Sequence, residues 1–461
     1  MRFRPTVPLW EHQKQGLKRL WKLGSALVWW DVGTGKTRLA ASYAVARWQA
    51  GQVKRVLVVC PLAAVGVWDQ EFRAQVPDGL AIATRNDRPD LASFIQAVRD
   101  GPMRANGGLG VAVATYETLI RYGAFFADSY RPDLLIVDES QRIKSYSAKR
   151  TKRVLAIARK APYRLCLSGT PAPNGYIDLY WQIKVVQPGA LPPSVREFRD
   201  RYCVMGGYFD KEIIAYKNTG ELASRVAAVA LRADKSKLHL PPVIDQVIPV
   251  RLQPTTMRLY DELRRDFVTQ VQGVQVLAPN QLVLLTRLMQ MTGGFVAEEL
   301  RDPTKIEALC DLIEAEGKEK VVVFAHYVHE IQAIRRALAK QGYTVAAIWG
   351  AVSGPERDQI IRRFQETDDP QILVVQTHAG GVAITLHRAA TAIFYSLDYN
   401  AEAYEQARGR IHRGGQTRTC RYLHLLAQGT IDEVIYAALR RKMGRQAALA
   451  EVVRGLQRGG V

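Results

Sequence analysis

The stretch WWDVGTGKTRLA, residues 29–40, decides the fold. It closes on Gly33, Thr34, Gly35, Lys36 and Thr37, which read as a phosphate-binding loop. The strict pattern G-x-x-x-x-G-K-[ST] asks for glycine at position 30, where this chain has Trp30. Context decides more than the letters do. An apolar run, ALVWW at 26–30, precedes the loop, and a helical run, TRLAASYAVARW, follows it. Strand, loop and helix in that order are what a phosphate loop needs. Gly33 and Gly35 let backbone N–H groups turn toward phosphate oxygens, and the helix N-terminus adds a favourable dipole. Lys36 is placed to reach the terminal phosphates, and Thr37 to ligate Mg²⁺. Without further signals, a plain strand–turn–helix remains the competing reading.

Outward from the loop, short apolar runs alternate with helical stretches. RVLVVC (55–60), GVAVAT (110–115), DLLIVD (133–138) and YRLCLSG (163–169) read with ALVWW as buried parallel strands. A second series follows: KVVVFA (320–325), TVAAIWG (344–350), QILVVQT (371–377), TAIFYSL (391–397) and RYLHLLA (421–427). Both series predict a doubly wound α/β fold, two similar units in tandem. Between them, residues 186–243 are rich in proline and of mixed texture, and 254–292 read as helix stopped by Gly293-Gly294. The expected division is 1–240 and 241–461. The second part has a helical lead-in over 254–300, an α/β core over 301–445 and a basic amphipathic tail helix over 446–461.

The composition narrows the partner. The chain of 461 residues carries a net charge of +20, which favours a polyanion, most commonly nucleic acid. The five cysteines are scattered with no C-x-x-C pair, which argues against a zinc site and a disulfide framework. No apolar stretch reaches the length of a membrane span, and the N-terminal residues lack a signal-peptide core. A soluble, cytoplasmic protein with no membrane partner is expected.

Two further motifs carry chemistry. LLIVDES (134–140) is an apolar strand ending in adjacent carboxylates. Asp138 suits Mg²⁺, opposite Thr37, and Glu139 suits orienting and deprotonating the attacking water. A helix cap is the bland reading, which loses ground about one hundred residues after a phosphate loop. In QARGRIHRGGQ (406–416), Arg410 and Arg413 fall three apart, which predicts one helix face presenting two guanidiniums to one phosphate. They belong to the second α/β unit and suit arginine fingers. A solvated basic helix is the alternative.

At this point the chain resembles the Swi/Snf-type ATPases of helicase superfamily two, in the short stand-alone form found in bacteriophages and bacteria. The resemblance runs from about Leu9 to about Lys442. LWEHQKQGLKRL (9–20) resembles the segment before the phosphate loop, where Gln13 is implied to contact adenine. WWDVGTGKT resembles the family's D-E-M-G-L-G-K-T, whose first position is likewise not glycine. VCPLAAVGVWDQEF (59–72) and ATYETL (114–119) resemble two DNA-contacting segments, and LSGTPAPNG (167–175) a coupling segment. THAGGVAITL (377–386) and YSLDYN with QARGRIHRGGQ resemble the closing run of the second lobe. The resemblance implies two RecA-like lobes with an ATP site in the cleft between them. It implies ATP and Mg²⁺ as cofactors, and backbone contacts to DNA through Thr115 and Thr377 among others. Three departures stand out. Gln141 stands where a histidine usually couples the lobes and is implied to lie at the nucleotide, Ala383 replaces a glycine, and Gly409 replaces an aspartate before Arg410.

The function expected is a DNA-dependent ATPase, a monomeric motor on double-stranded or branched DNA that does not read sequence. From Tyr404 onward, eleven Arg or Lys stand against four Asp or Glu, an excess shared between the ATP site and DNA. A strand-separating DNA or RNA helicase is the alternative within enzymes, and a nucleotide-gated DNA clamp without turnover is the alternative outside them. EGKEK (316–320) contains the E-x-K of metal-dependent nucleases but lies in a polar turn without a partner carboxylate.

Overall fold

Continuous apolar runs cannot serve a sheet with one wet face, and here they do not. The computed structural model describes residues 5–457 except 77, 86–89, 106, 144, 173–174, 207–211, 239, 272–278, 378–383 and 444. The chain divides into two compact units, Met1–Leu238 and His239–Val461. Each is built on a sheet whose pairings are all parallel, flanked by helices, as a RecA-like lobe is.

In the first unit, helix α1 (Glu11–Leu23) leads into strand β1 (Ala26–Trp30), and helix α2 (Lys36–Gln49) follows it. The other strands are β2 (Arg55–Cys60), β3 (Leu80–Thr84), β4 (Leu109–Thr115), β5 (Leu134–Asp138) and β6 (Tyr163–Ser168). A hairpin of β7 (Cys203–Gly206) and β8 (Glu212–Tyr216) stands apart, and β9 (Ala230–Ala233) returns to the sheet. The sheet order is β3-β4-β2-β5-β6-β1-β9. Residues one apart on β2 face opposite ways. Leu57 and Val59 join one core cluster, while Val56 and Val58 are fully buried outside it. The edge strands β3 and β9 were not singled out in the sequence: both are short and rich in alanine, which favours neither strand nor core strongly.

The second unit contains β10 (Val243–Val250), a short hairpin of β11 (Phe295–Val296) and β12 (Glu299–Leu300), β13 (Val321–Ala325), β14 (Val345–Ile348), β15 (Ile372–Gln376), β16 (Thr391–Phe394) and β17 (Cys420–Ala427). Its sheet runs β10-β17-β16-β13-β15-β14. On β13, Val322 and Phe324 pack into one cluster and Val321, Val323 and Ala325 into another, so both faces are covered. The helical lead-in forms two helices, Pro254–Val271 and Pro279–Thr292, the second ending just before Gly293 and Gly294.

The C-terminal stretch is broken into two helices, the second covering most of the expected tail helix. It forms Ile431–Arg440 and Arg445–Gln457. Lys442 adopts a left-handed φ of 53° between them, a conformation that ends a helix rather than continuing it. Among the described residues, no helix is long and apolar enough to cross a membrane. All five cysteines are buried free thiols.

Candidate nucleotide site

In a parallel sheet, ligand-bearing loops collect at the C-terminal ends of strands. In the first unit that edge gathers the predicted residues of lobe 1. Asp138 at the end of β5 registers with Leu167 of β6, and Leu167 with Val28 of β1, so the acidic pair and the glycine loop are two strands apart.

Trp30 explains why the loop needs no glycine there. It is the last residue of β1, with its side chain buried under α1. A Cβ on Gly16 of α1 would lie 2.7 Å from its ring, so Gly16 makes the room Trp30 fills. The loop proper turns at Gly33 (φ 90°) and Gly35 (φ 80°), both in the region that favours glycine. The Thr34 hydroxyl donates to the Asp31 carbonyl at 2.7 Å. Lys36 Nζ donates to the carbonyls of Trp30 (2.8 Å) and Asp31 (3.1 Å), which curls the ammonium into the loop. Thr37 lies half-buried in the first turn of α2.

Gln13 is buried beside this loop. Its Oε1 accepts from the Trp10 N–H at 2.9 Å, and its Nε2 donates to the Gly35 carbonyl at 3.2 Å. A Cβ on Gly35 would lie 2.2 Å from that Nε2, so the second glycine is required for this contact as well as for its φ. His12, which sequence reading missed, bonds the Thr34 carbonyl through Nε2 at 2.9 Å and lies against the Trp10 and Trp30 rings.

The acidic pair is held from several directions. Asp138 Oδ2 accepts from Trp68 Nε1 at 3.0 Å, and Oδ1 from the Glu139 N–H at 3.0 Å. Burial first, then the neighbouring Glu139 charge, raise the Asp138 carboxyl to about 6, while Trp68 and Lys36 pull it down. Glu139 has a left-handed φ of 49°, a conformation that costs a non-glycine residue about 1–3 kcal/mol. The Tyr116 hydroxyl donates to the carbonyls on either side of that turn, Asp138 at 2.6 Å and Glu139 at 3.3 Å.

Gln141, read as the stand-in for a histidine, bridges two strand ends. Its Nε2 donates to Glu139 Oε2 at 2.7 Å, and its Oε1 accepts from the Ser168 hydroxyl at 2.6 Å. Ser168 Oγ accepts in turn from the Thr170 N–H at 3.1 Å. Beside this chain, the Ser140 hydroxyl donates to Gln182 Oε1 at 2.7 Å, and Gln182 Nε2 donates to the carbonyls of Pro171 and Asp178. Trp68, Tyr116 and Gln182 lie 70, 22 and 42 residues from the positions they hold. No local pattern marks such partners.

Two residues expected on DNA occupy the ends of strands. The Thr115 hydroxyl caps the helix Tyr116–Ala124, accepting from the Thr118 N–H at 3.2 Å. Thr377, after β15, donates its hydroxyl to the Ala325 carbonyl at 3.2 Å. Ala383 and the glycines before it lie outside the described residues.

The arginine pair corrects an expectation. Arg410 and Arg413 do not share a helix face, because the helix Ala401–Arg408 stops before them. Gly409 caps its end, and two tertiary bonds take up backbone carbonyls there. The Tyr422 hydroxyl donates to the Arg408 carbonyl at 2.6 Å, and the Leu386 N–H donates to the Arg410 carbonyl at 2.9 Å. Arg410 is buried, 3% exposed, and Arg413 Nη1 donates to the Ile384 carbonyl at 3.0 Å. The helix itself carries Arg408, which pairs with Asp245.

Comparison with known proteins matches the chain to two family models. The model of the SNF2-related domain matches residues 12–293, and that of the helicase conserved C-terminal domain matches residues 304–415. The DNA annealing helicase and endonuclease ZRANB3 of Mus musculus is 27% identical over 452 residues, covering 93% of this chain and 40% of that protein. An uncharacterized ATP-dependent helicase of Mycoplasma pneumoniae is 28% identical over 373 residues, covering 78% of this chain and 35% of that protein. The Sulfolobus solfataricus SWI2/SNF2 ATPase core in complex with dsDNA aligns with a TM-score of 0.47 and 22% identity, covering 98% of this chain and 95% of that one. The chain spans about two fifths of the length of the mouse relative. The first match alone takes in more than half of the chain, which therefore belongs to the SNF2-related family.

Proposed function

We propose that this chain is an ATP-driven motor that tracks along the backbone of double-stranded or branched DNA without reading its sequence. The observation that carries the reading is the gathering of Lys36, Asp138, Glu139 and Gln141 around a left-handed glycine loop at one sheet edge. The residues fit a bound nucleotide. Gly33 and Gly35 leave no side chain over the loop, and Lys36 rests on two neutral carbonyls that a phosphate would replace.

ATP supplies the anhydride to be cleaved, and Mg²⁺ neutralises charge on its phosphates. Gly33, Thr34 and Gly35 would present backbone amides, Lys36 would neutralise the terminal phosphates, and Thr37 and Asp138 would hold the metal. Gln13 lies at the loop for the base. Glu139 accepts a proton from the attacking water at its carboxylate. Gln141 fixes the angle of that carboxylate and passes its position to Ser168 and Thr170, since one amide bonds both. Arg410 and Arg413 act as arginine fingers on the transferred phosphoryl group. Thr115 and Thr377 belong to the DNA-facing strand ends. The motor is proposed to act as a monomer in the cytoplasm of a bacterial or phage-infected cell.

The arginine assignment has a kinetic test. Arg410→Ala or Arg413→Ala is expected to lower kcat by about 10²-fold or more, with a smaller effect on ATP affinity. The double variant should be little worse than the worse single one, because residues acting as a unit are not additive. Normal hydrolysis with lost DNA binding would instead make both arginines phosphate contacts.

The DNA assignment is tested by ATPase rates with single-stranded, double-stranded and branched DNA, and with RNA, at matched salt. Stimulation by duplex or branched DNA is expected. The net charge of +20 supports an affinity that falls with salt, with a log–log slope of about −0.9 per phosphate neutralised. Stimulation by RNA alone, or a salt-independent affinity, would overturn the reading. Binding without any turnover would leave a nucleotide-gated clamp.

A further inference from the structure

A cavity of about 350 Å³ opens in the first unit away from the residues described above. Its lining includes Tyr146, Arg159, Arg164, Trp181, Lys184 and Pro193. Arg164 lies at the start of β6, whereas Ser168 closes the same strand four residues later. At the rise of a strand, that places Arg164 about 13 Å along β6 from Ser168, toward the other end of the strand.

Its chemistry is one-sided. Three cations line it and no carboxylate does. Arg164 Nη1 donates to the Ala158 carbonyl at 3.3 Å, while its Nε is buried with no hydrogen-bond partner. Lys184 Nζ donates to the carbonyls of Pro188 (2.7 Å) and Leu191 (3.0 Å) and keeps a third hydrogen. Burial lowers the pKa of both groups, with Glu197 partly offsetting this at Lys184. A buried guanidinium nitrogen without a partner, beside two further cations, favours an anion next to it. The remaining wall is aromatic. Tyr146 stacks on Trp181 at 5.0 Å with rings 26° apart, and Tyr146 stays 49% exposed. Lys152 Nζ lies 5.3 Å from the centre of the Tyr146 ring. A bare inorganic anion would use the cations and leave the rings idle. A planar base carrying a phosphate would use both, since bases stack on aromatic side chains and guanidiniums fork onto phosphate. The volume suits one nucleotide rather than a triphosphate with its metal.

We propose that this cavity is a second site, which takes one nucleoside monophosphate unit, with its base against the Tyr146–Trp181 pair and its phosphate on Arg159, Arg164 and Lys184. The unit can be a free mononucleotide or a terminal nucleotide of a DNA strand. The site is independent of the ATP reading.

The test measures equilibrium dialysis of labelled dTMP, a short 5′-phosphorylated oligothymidylate and inorganic phosphate against the full chain. Lys36→Ala serves as the background in which the phosphate loop is disabled. Saturable, stoichiometric binding of dTMP or the oligonucleotide is expected in both wild type and Lys36→Ala. Arg159→Gln/Arg164→Gln should weaken it by at least about tenfold, the scale of a lost charge-assisted hydrogen bond, with ATP turnover unchanged. Tyr146→Ala, at an exposed position that does not threaten folding, should weaken dTMP and leave phosphate alone. Tighter binding of the oligonucleotide than of dTMP identifies a DNA strand as the source, and the reverse identifies the free nucleotide. Three results would overturn the site: no saturable binding of either probe, binding indifferent to the arginine and Tyr146 variants, or phosphate binding as tight as dTMP.

Discussion

Glu139→Gln is expected to bind ATP and hydrolyse it about 10²–10⁴-fold more slowly, the range for removal of a positioned general base. The substitution removes the base while leaving its surroundings in place. The amide oxygen of glutamine still accepts from Gln141 Nε2, so the link to Ser168 survives. Tyr116 holds the turn through backbone carbonyls, which the side-chain change does not touch. Nucleotide binding by equilibrium titration and phosphate release under saturating DNA separate the two effects. Unchanged hydrolysis would mean that another residue positions the water.

Lys36→Ala should reduce ATP turnover to background while the protein stays folded. The side chain donates two hydrogen bonds to loop carbonyls, worth about 1.5–3 kcal/mol each for a charged donor. The core that holds α2 does not depend on them, since Leu39, Ala40, Ala41 and Tyr43 are fully enclosed. What disappears is the only full positive charge on the loop between Val32 and Thr37. Circular dichroism and thermal melting check the fold, and a phosphate-release assay checks turnover. Near-wild-type turnover would remove the phosphate-loop assignment.

The strands that carry this site were readable because their physics is local. A parallel strand buried on both faces must be apolar at consecutive positions, and β1, β2, β5 and β6 announce themselves that way. The edge strands were harder. β10 is exposed or half-buried at every position before Val250 and contains Pro249, so its pairing with β17 is not visible in its own residues. The glycine loop, the acidic pair and the arginine run were legible for a similar reason: each is a short string of residue types with a chemical purpose. What those strings did not state was conformation. Arg410 and Arg413 looked like a helix face from spacing alone, but spacing holds only if the helix continues.

The sequence by itself determined where the apolar strands run, which residue types stand at their ends, and that two α/β units follow one another. Those features depend on each segment's own side chains. Only the tertiary structure decided that Trp30 ends a strand under Gly16, that Gln141 joins Glu139 to Ser168, and that Trp68 and Tyr116 hold the acidic turn. It also decided that Arg410 lies beyond its helix, where Tyr422 and Leu386 bond the chain's carbonyls. Each of these depends on groups far apart in the chain, and a buried polar group takes whichever partner the packed fold brings within hydrogen-bonding distance.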